Sequence, residues 1–588
     1  MDLTKAREKR KDNATKQAFL FLLAVCLSSI AQLAFAVVSP TVIPSTAQPG
    51  QINENLSKRP LYKPQSLPAI TPPLEKATNK LGSEAEKITF KLNQIILSGN
   101  TVYSDKELRK LYQDKLHKVI PVAQLQEIVQ SITNYYRNNG YILSRAILPP
   151  QKVANGIVHI RILEGYIDKA IISGDAKGAK QILLAYGEQI SKVRPARLNV
   201  IDRYLRLANE LPGVQVKGVL EPSKTNLAAS NLNLVVKQTV LSGYVSYDNY
   251  GTRYVGPNQL TMGMNGNSLF RSGDTTRLTY VTTSRPQQLK YKEIAHQTPL
   301  GNRGLQLTVG ANNSLSLPGM SLAALKVQGN ADTFYTNLQY PALRSRDQNL
   351  TLDGGFNYLD SRVMIAPDNI PSLLYVDHLR TIKVGGSYDF ADRFSAANLL
   401  GLHVEQGLGI LGATHNVEST TTSRFGGRGL FTKLNLQLTR VQPIKGRFSL
   451  MTQLSGQYAF NPLLSSSQFA FGGSQLGRGY DPAEITGDRG AAGSIELHMD
   501  MAPGWFMLQT MQWYAFYDAG IVWNIKVISG TPNKQSAIST GIGTRFTLAN
   551  YISGNLMIAQ PLTKTVATQA LVSRARSPRG FFSITVSV

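Results

Sequence analysis

From Val240 to Val588 hydrophobic and polar residues alternate, and helical spacing is absent. Ile382, Val384, Tyr388 and Phe390 interleave with Lys383, Ser387 and Asp389, and Leu434, Leu436 and Leu438 with Lys433, Asn435, Gln437 and Thr439. The same rhythm runs through Phe448, Leu450, Leu454, Tyr458 and Phe460, and through Phe582, Ile584, Val586 and Val588 at the end of the chain. A period of two puts one residue set on each face of a strand. About 16 such stretches fit this region, separated by turns and longer loops, with one face suited to lipid and the other to a wet lumen. The pattern predicts a mainly β protein whose residues 239–588 form an antiparallel transmembrane barrel. A soluble sandwich also alternates, but rarely needs so many long strands with polar inner faces.

Upstream, two short α+β patterns follow one another. Ile88, Phe90 and Leu92 alternate as in a strand, and Ser98-Gly99-Asn100 turns the chain. Ser104 and Asp105 can cap a helix over Lys106–Tyr112. Leu125, Ile128, Val129, Ile132, Tyr135 and Tyr136 then share one helical face, until Gly140. Tyr141–Ile147 and Gly156–Leu163 read as strands, which completes a module over 88–165. A second copy over 166–238 has its first strand near Ala170–Ile172, helices at Ala179–Tyr186 and Val200–Asn209, and strands at Val214–Leu220 and Leu232–Lys237. In each copy a glycine follows the first strand, at Gly99 and Gly174. Tandem copies suit a binding array more than an enzyme.

The N-terminus reads as an address. Lys5, Arg7, Lys9, Arg10, Lys11 and Lys16 precede an apolar run from Ala18 to Ala31, and Ala34-Phe35-Ala36 offers a cleavage site. That is a secretory signal over 1–36; an N-terminal membrane anchor is the competing reading. The single cysteine, Cys26, lies inside it, so a mature chain would contain no disulfide or thiolate site. Residues 37–87, with eight prolines between Pro40 and Pro73, read as an extended periplasmic linker, with room for a short helix near Leu74–Lys87.

Composition narrows the classes further. Lys and Arg exceed Asp and Glu by 25 charges, but they are spread along the chain, without a basic stripe for nucleic acid. Repeated apolar runs of about 20 residues, which a helical membrane transporter needs, are missing beyond the N-terminus. No nucleophile elbow, phosphate loop or zinc-protease motif is found, and the seven histidines are scattered without ligand spacing. Neither an enzyme nor a metal or cofactor site is expected.

Several words in order carry a family resemblance. Tyr135-Tyr136-Arg137-Asn138-Asn139-Gly140-Tyr141, then Ser144-Arg145-Ala146, Leu148-Pro149-Pro150-Gln151, Gly156-Ile157-Val158 and Leu163-Glu164-Gly165 resemble the first POTRA domain of two-partner-secretion outer-membrane transporters (TpsB type, the ShlB/FhaC/HecB haemolysin secretion/activation family). Within the long loop at about 461–489, Leu476-Gly477-Arg478-Gly479-Tyr480 resembles the tip of loop 6 in that superfamily, with Gly477 in place of a valine; Gly487-Asp488-Arg489-Gly490 closes the loop. Phe516-Tyr517-Asp518-Ala519-Gly520 resembles the family's Phe-x-Asp-x-Gly strand motif. Phe516, Asp518 and Gly520 share a parity, and a carboxylate facing lipid would be costly, so that side is the lumen. The resemblance implies that loop 6 folds into the barrel and that Arg478 meets Asp518. The C-terminal signal of such barrels usually ends in Phe; Val588 stands there instead.

What the resemblance implies is export of one large client, of haemolysin, adhesin or haem-scavenger type, captured in the periplasm through its N-terminal secretion domain. Strand addition to a POTRA sheet edge is the expected mode of capture. Outer-membrane lipid and the barrel-assembly machinery are the other expected partners, and the chain is expected to act as a monomer without nucleic acid. Two alternatives stay open: a factor that inserts other barrel proteins, and a passive pore.

Overall fold

A computed structural model describes residues 43–57, 70–71, 88–224, 226–415, 421–505, 507–525, 532–572 and 576–588. Sixteen antiparallel strands form one closed barrel, from Leu241–Asp248 to Arg579–Ser587. Closure pairs Tyr244 through Asp248 with Ser587 back to Ser583. Val588 N–H donates to Gly243 O at 2.9 Å, and Gly243 N–H returns a bond to Val588 O at 3.0 Å. Closure at this seam is a backbone matter, so Val588 serves it without an aromatic ring. Alternation along the strands sorts the faces as expected. In Ile552–Pro561, Ile558 is 58% exposed on the outer wall, whereas Met557 and Ala559 point inward and are buried.

The two ends of the barrel differ. At one end short turns meet the upstream domains: Ile182 N–H donates to Ser272 Oγ at 3.1 Å, and Arg346 and Arg344 pair with Asp202 and Glu210 at 3.2 and 2.8 Å. Long loops occupy the opposite end. Among the described residues no helix is long and apolar enough to cross a membrane; the strands do the crossing.

In the first upstream module, Gln94–Ser98 pairs in parallel with Ile157–Leu163, which pairs antiparallel with Arg145–Ile147. Helices α1 (Asp105–Arg109) and α2 (Val122–Asn138) cover the sheet. Ser104 and Glu107 form a reciprocal capping box on α1, which accounts for its abrupt start. The apolar stripe of α2 (Leu125, Ile128, Ile132 and Tyr136) is core, buried against Val158, Ile160 and Ile162. Two strand expectations shift. The alternation at Ile88–Leu92 belongs to a separate ladder, Thr89–Lys91 with Val119–Pro121, and the sheet proper begins at Gln94. Tyr141 through Ser144 form a turn after Gly140, so only Arg145–Ile147 is extended.

In the second module, Tyr166–Asp175 and Val214–Pro222 flank Ala229–Gln238, under helices α3 (Lys180–Ser191) and α4 (Leu198–Glu210). Gly99 and Gly174 occupy equivalent corners, at φ of +84° and +82°. A Cβ there would lie 2.3 Å from Ile162 O and 2.4 Å from Val236 O, so both copies require glycine for the same steric reason.

Within the stretch read as an extended linker over 37–87, two described segments are ordered into elements. Pro49–Ser57 form a helix that opens on Pro49, where a missing N–H costs nothing. It lies inside the barrel: Asn53 Nδ2 donates to Thr333 Oγ1 at 2.8 Å, and Ile52 and Leu56 pack on Val281, Leu289 and Tyr291. Ile70–Thr71 run parallel to Val214–Pro222 and cover that edge of the second sheet. The helix expected near Leu74–Lys87 and the signal over 1–36 lie outside the described residues, Ile88 being the first described residue after the former.

Candidate functional site

The chain between Ala459 and Arg489 turns back into the lumen as a hairpin. Phe469–Phe471 pairs antiparallel with Ile485–Gly487, and residues 472–484 form its tip. Gly472, Gly473 and Gly477 take φ values of +121°, +111° and +76°. Valine would be strained at Gly477, so the departure from the family word matches the local backbone.

Arg478 sits at the centre, 5% exposed. Its Nε donates to Asp518 Oδ2 at 3.0 Å and its Nη2 to Asp518 Oδ1 at 2.7 Å. The backbone N–H groups of Gly477 and Arg478 donate to the same Oδ2 at 3.1 and 2.9 Å. Nη2 also reaches Ser494 Oγ at 2.8 Å, Nη1 reaches Glu496, and the guanidinium lies over the Phe516 ring at 3.6 Å. Four of the five guanidinium N–H groups thus have acceptors, three of them carboxylate oxygens, a fork that a lysine cannot reproduce.

The flanking residues fix the tip. Gly479 lies against the wall, where a Cβ would come within 2.8 Å of Ser539 Cβ and 3.0 Å of Pro561 N. Tyr480 Oη donates to Ile538 O at 2.9 Å and accepts Lys564 N–H at 3.2 Å. Asp481 pairs with Arg579 at 2.5 Å and accepts from Thr568. Gly520 makes room for Phe471, whose Cδ2 would be 2.3 Å from an added Cβ, and Leu476 joins the same apolar cluster.

At the loop's base, Asp488 is fully buried and accepts the N–H groups of Leu463 and Ile525, each at 2.8 Å, beside Arg424. Gly487 closes on the Trp523 carbonyl. Arg489, one residue on, points the other way: its guanidinium stacks on Tyr458 at 4.1 Å on the outer wall. The expected base word therefore divides between lumen and membrane side.

Sequence reasoning missed two parts of this site. Glu496 is the second acid on Arg478 and also pairs with Arg545 at 2.6 Å and His498 at 2.5 Å. Its signal is the run Ser494, Glu496, His498, polar at every second position of one strand. The lumen helix is the other. Ser45 Oγ donates to Ala483 O at 2.7 Å, Gln51 Nε2 to Ser465 O at 2.5 Å, and Gly50 lets the helix close on Ser466. Helix and loop 6 hold each other in the lumen.

The first-module word has a structural role throughout. Glu164 accepts N–H bonds from Thr101 and Val102 at 2.6 and 2.9 Å, the Thr101 hydroxyl, and the Tyr136 hydroxyl at 2.8 Å. Burial raises its pKa, but these bonds outweigh burial and hold the carboxyl below the ordinary value of 4.5. Burial and Glu164 together push the Tyr136 hydroxyl well up, so it stays a donor. Gln151 pairs by both amide atoms with the His159 backbone, each at 2.7 Å, and its Nε2 also reaches Pro149 O at 3.3 Å. Gly140, Tyr141 and Gly165 join the two modules: Leu198 N–H donates to Gly140 O, Arg197 Nη2 to Tyr141 Oη at 2.8 Å, and Ala196 N–H to Gly165 O.

The family model described as haemolysin secretion/activation protein ShlB/FhaC/HecB matches residues 229–546, more than half of the chain, and the ShlB-type POTRA model matches residues 90–165. The heme/hemopexin transporter protein HuxB of Haemophilus influenzae (strain 86-028NP) is 23% identical over 92% of this chain and 96% of its own length. The outer membrane transporter CdiB of Dickeya dadantii is 23% identical over 74% of this chain and 77% of its own. The solved CdiB from Escherichia coli shares the fold, with a TM-score of 0.70 at 18% identity over 94% of this chain and all of that one. The chain belongs to the ShlB/FhaC/HecB haemolysin secretion/activation family: it is an outer-membrane transporter of two-partner secretion, with its POTRA domains in the periplasm, that exports a partner protein.

Proposed function

We propose that this transporter takes one large client through the lumen that the helix Pro49–Ser57 and the loop 6 tip now fill, and that a haem-scavenging client is the first to test. The observation that carries this reading is the double occupation of one lumen, by a helix bonded to loop 6 and by a loop locked through Arg478 to Asp518. The helix is held by hydrogen bonds and apolar packing and is read as the element that leaves; the loop is held by a buried ionic cluster and is read as the element that stays. The relatives in Haemophilus influenzae are heme/hemopexin transporters, which is the ground for the client class.

Capture starts in the periplasm by strand addition. In the described residues the edges formed by Gln94–Ser98 and Tyr166–Asp175 carry no further strand, whereas Ile70–Thr71 occupy the remaining edge of the second sheet. Main-chain bonds at a free edge supply affinity, and the alternate side chains supply specificity. No chemistry is performed on the client, the barrel-assembly machinery inserts the chain into outer-membrane lipid, and it works as a monomer.

The test is secretion of the large exported protein encoded beside this gene, followed in medium and periplasm with and without the transporter. Client in the medium only when the gene is present is the expected result. An unaffected client, with several barrel proteins falling together, would overturn the reading in favour of an assembly factor.

A further inference from the structure

We propose that the outer wall of the barrel carries a binding site for the phosphate of an outer-leaflet glycolipid, built by Arg489 and Lys534 on either side of Trp523. Arg489 pairs in register with Trp523, and Trp523 with Lys534, so the three side chains form one row across three adjacent strands. Tyr458 extends the row on the fourth strand and lies under the Arg489 guanidinium at 4.1 Å. All four point outward. Trp523 is 36% and Tyr458 46% exposed, while the inward neighbours Val522 and Ala537 are buried.

The row lies at the loop end of the wall, and further down the same outer face Leu454, Ile495 and Ile542 are exposed apolar residues. An open cleft of about 600 Å³ lies beside it, lined by Tyr458, Arg489, Trp523, Asn524, Ile525 and Asn533. Tyr and Trp at this depth are the ordinary mark of the membrane boundary. A cation costs far less at that boundary than at the bilayer midplane, and an anion that reaches it there gains a charged partner. Arg489 donates through Nε to Ala459 O at 3.0 Å, and among the described residues no carboxylate pairs with it or with Lys534. The outward positions 489–497, 513–523 and 534–542 contain no Asp or Glu; the carboxylates Glu496 and Asp518 of these strands face the lumen.

Two cations without a local acid, flanked by boundary aromatics above an apolar wall, match a phosphate monoester carried on acyl chains. The guanidinium offers its two outer N–H edges for a bidentate contact, and Lys534 adds a second positive charge. The acyl chains would lie on the belt below. Because Asp488 anchors the base of loop 6 and Arg489 follows it directly, the lipid would grip the wall at the loop's point of attachment.

The experiment is native mass spectrometry of the full-length transporter in detergent with added lipid A, a phosphorylated, multiply acylated glycolipid. Wild type is expected to retain it, and the double variant Arg489→Ala, Lys534→Ala to lose about ten-fold in occupancy. Lys445→Ala, at the opposite rim, is expected to behave as wild type. Dephosphorylated lipid A is expected not to be retained, and millimolar inorganic phosphate not to compete. Equal retention by the double variant, equal retention of the dephosphorylated lipid or of phosphatidylglycerol, or displacement by free phosphate would each overturn the site. Heat-modifiable migration reports whether the variants are folded barrels. If the double variant is not, lipid A titration of wild type and Trp523→Phe decides: a fluorescence change confined to wild type is expected, and the same change in both overturns the proposal.

Discussion

Asp518 holds Arg478 by both carboxylate oxygens, at 3.0 Å to Nε and 2.7 Å to Nη2, and on the same Oδ2 it receives the backbone N–H groups of Gly477 and Arg478. One buried side chain thus binds the loop tip through its charge and through its main chain. Removing one partner of a buried pair typically costs about 3–5 kcal/mol, because the other charge is left without compensation.

Replacing Arg478 by Ala, or Asp518 by Asn, is therefore expected to lower client in the medium by about ten-fold or more while the barrel still folds. Arg478→Lys is expected to fall in between, since it keeps the charge and loses the fork. The exchange of both residues is expected to rescue nothing: an Asp at position 478 would face Glu496, which binds Arg478 directly in the native site. Rescue to wild-type secretion by the exchange would show that Glu496 is dispensable and that the contact is a simple pair.

The lumen helix yields a second expectation. Deleting Ile43–Ser57, or replacing both Ile52 and Leu56 by Asp, removes the packing on Tyr291, Leu289 and Val281 and should open the pore. Single-channel recordings in planar bilayers are expected to show higher and more persistent conductance than wild type. Conductance unchanged by either variant would mean that loop 6 alone closes the lumen.

The site was partly legible in the chain. A period of two fixes faces, so Phe516, Asp518 and Gly520 share one side of their strand, and in the structure that side faces the lumen. The same rule separates Asp488 from Arg489, although their adjacency suggested one common role. Glu496 was hidden because a lumen carboxylate looks like any other inward polar residue; only its distance to Arg478 distinguishes it. The helix Pro49–Ser57 was hidden for another reason. Nine residues with Pro, Gly and two Asn are too short and too polar to be helical by propensity, and tertiary contacts with the wall decide the matter. Ile88–Leu92 alternates correctly but pairs with Val119–Pro121, because partner choice is not written in local periodicity.

Acid should loosen the first POTRA domain at a specific corner. Glu164 has a folded-state pKa below its ordinary 4.5, so its stabilising effect is fully present above that value and is lost as pH falls through the lower one. Hydrogen exchange of the full-length transporter should show protection at Thr101 and Val102 at neutral pH that declines below about pH 4.5. In Glu164→Gln the protection is expected to be reduced at neutral pH and to change little on acidification. Identical pH profiles in both proteins would place the acid sensitivity elsewhere.

Gly520 and Phe471 offer the sharpest steric test. An added methyl at Gly520 would lie 2.3 Å from Phe471 Cδ2 and 2.5 Å from Cγ, inside the cluster that seats the loop 6 hairpin on the wall. The ring is buried and also packs near Tyr480, with centroids 6.3 Å apart, so it cannot swing aside. Overpacking of this kind costs about 1–3 kcal/mol, enough to populate a displaced loop. Gly520→Ala is expected to raise protease sensitivity within residues 472–484 and to reduce secretion, while heat-modifiable migration stays normal. Phe471→Leu in the same chain should restore much of both, because the smaller side chain vacates the contact. Failure of that second change to restore anything would mean that Gly520 is required for the strand's own backbone, not for the approach of loop 6.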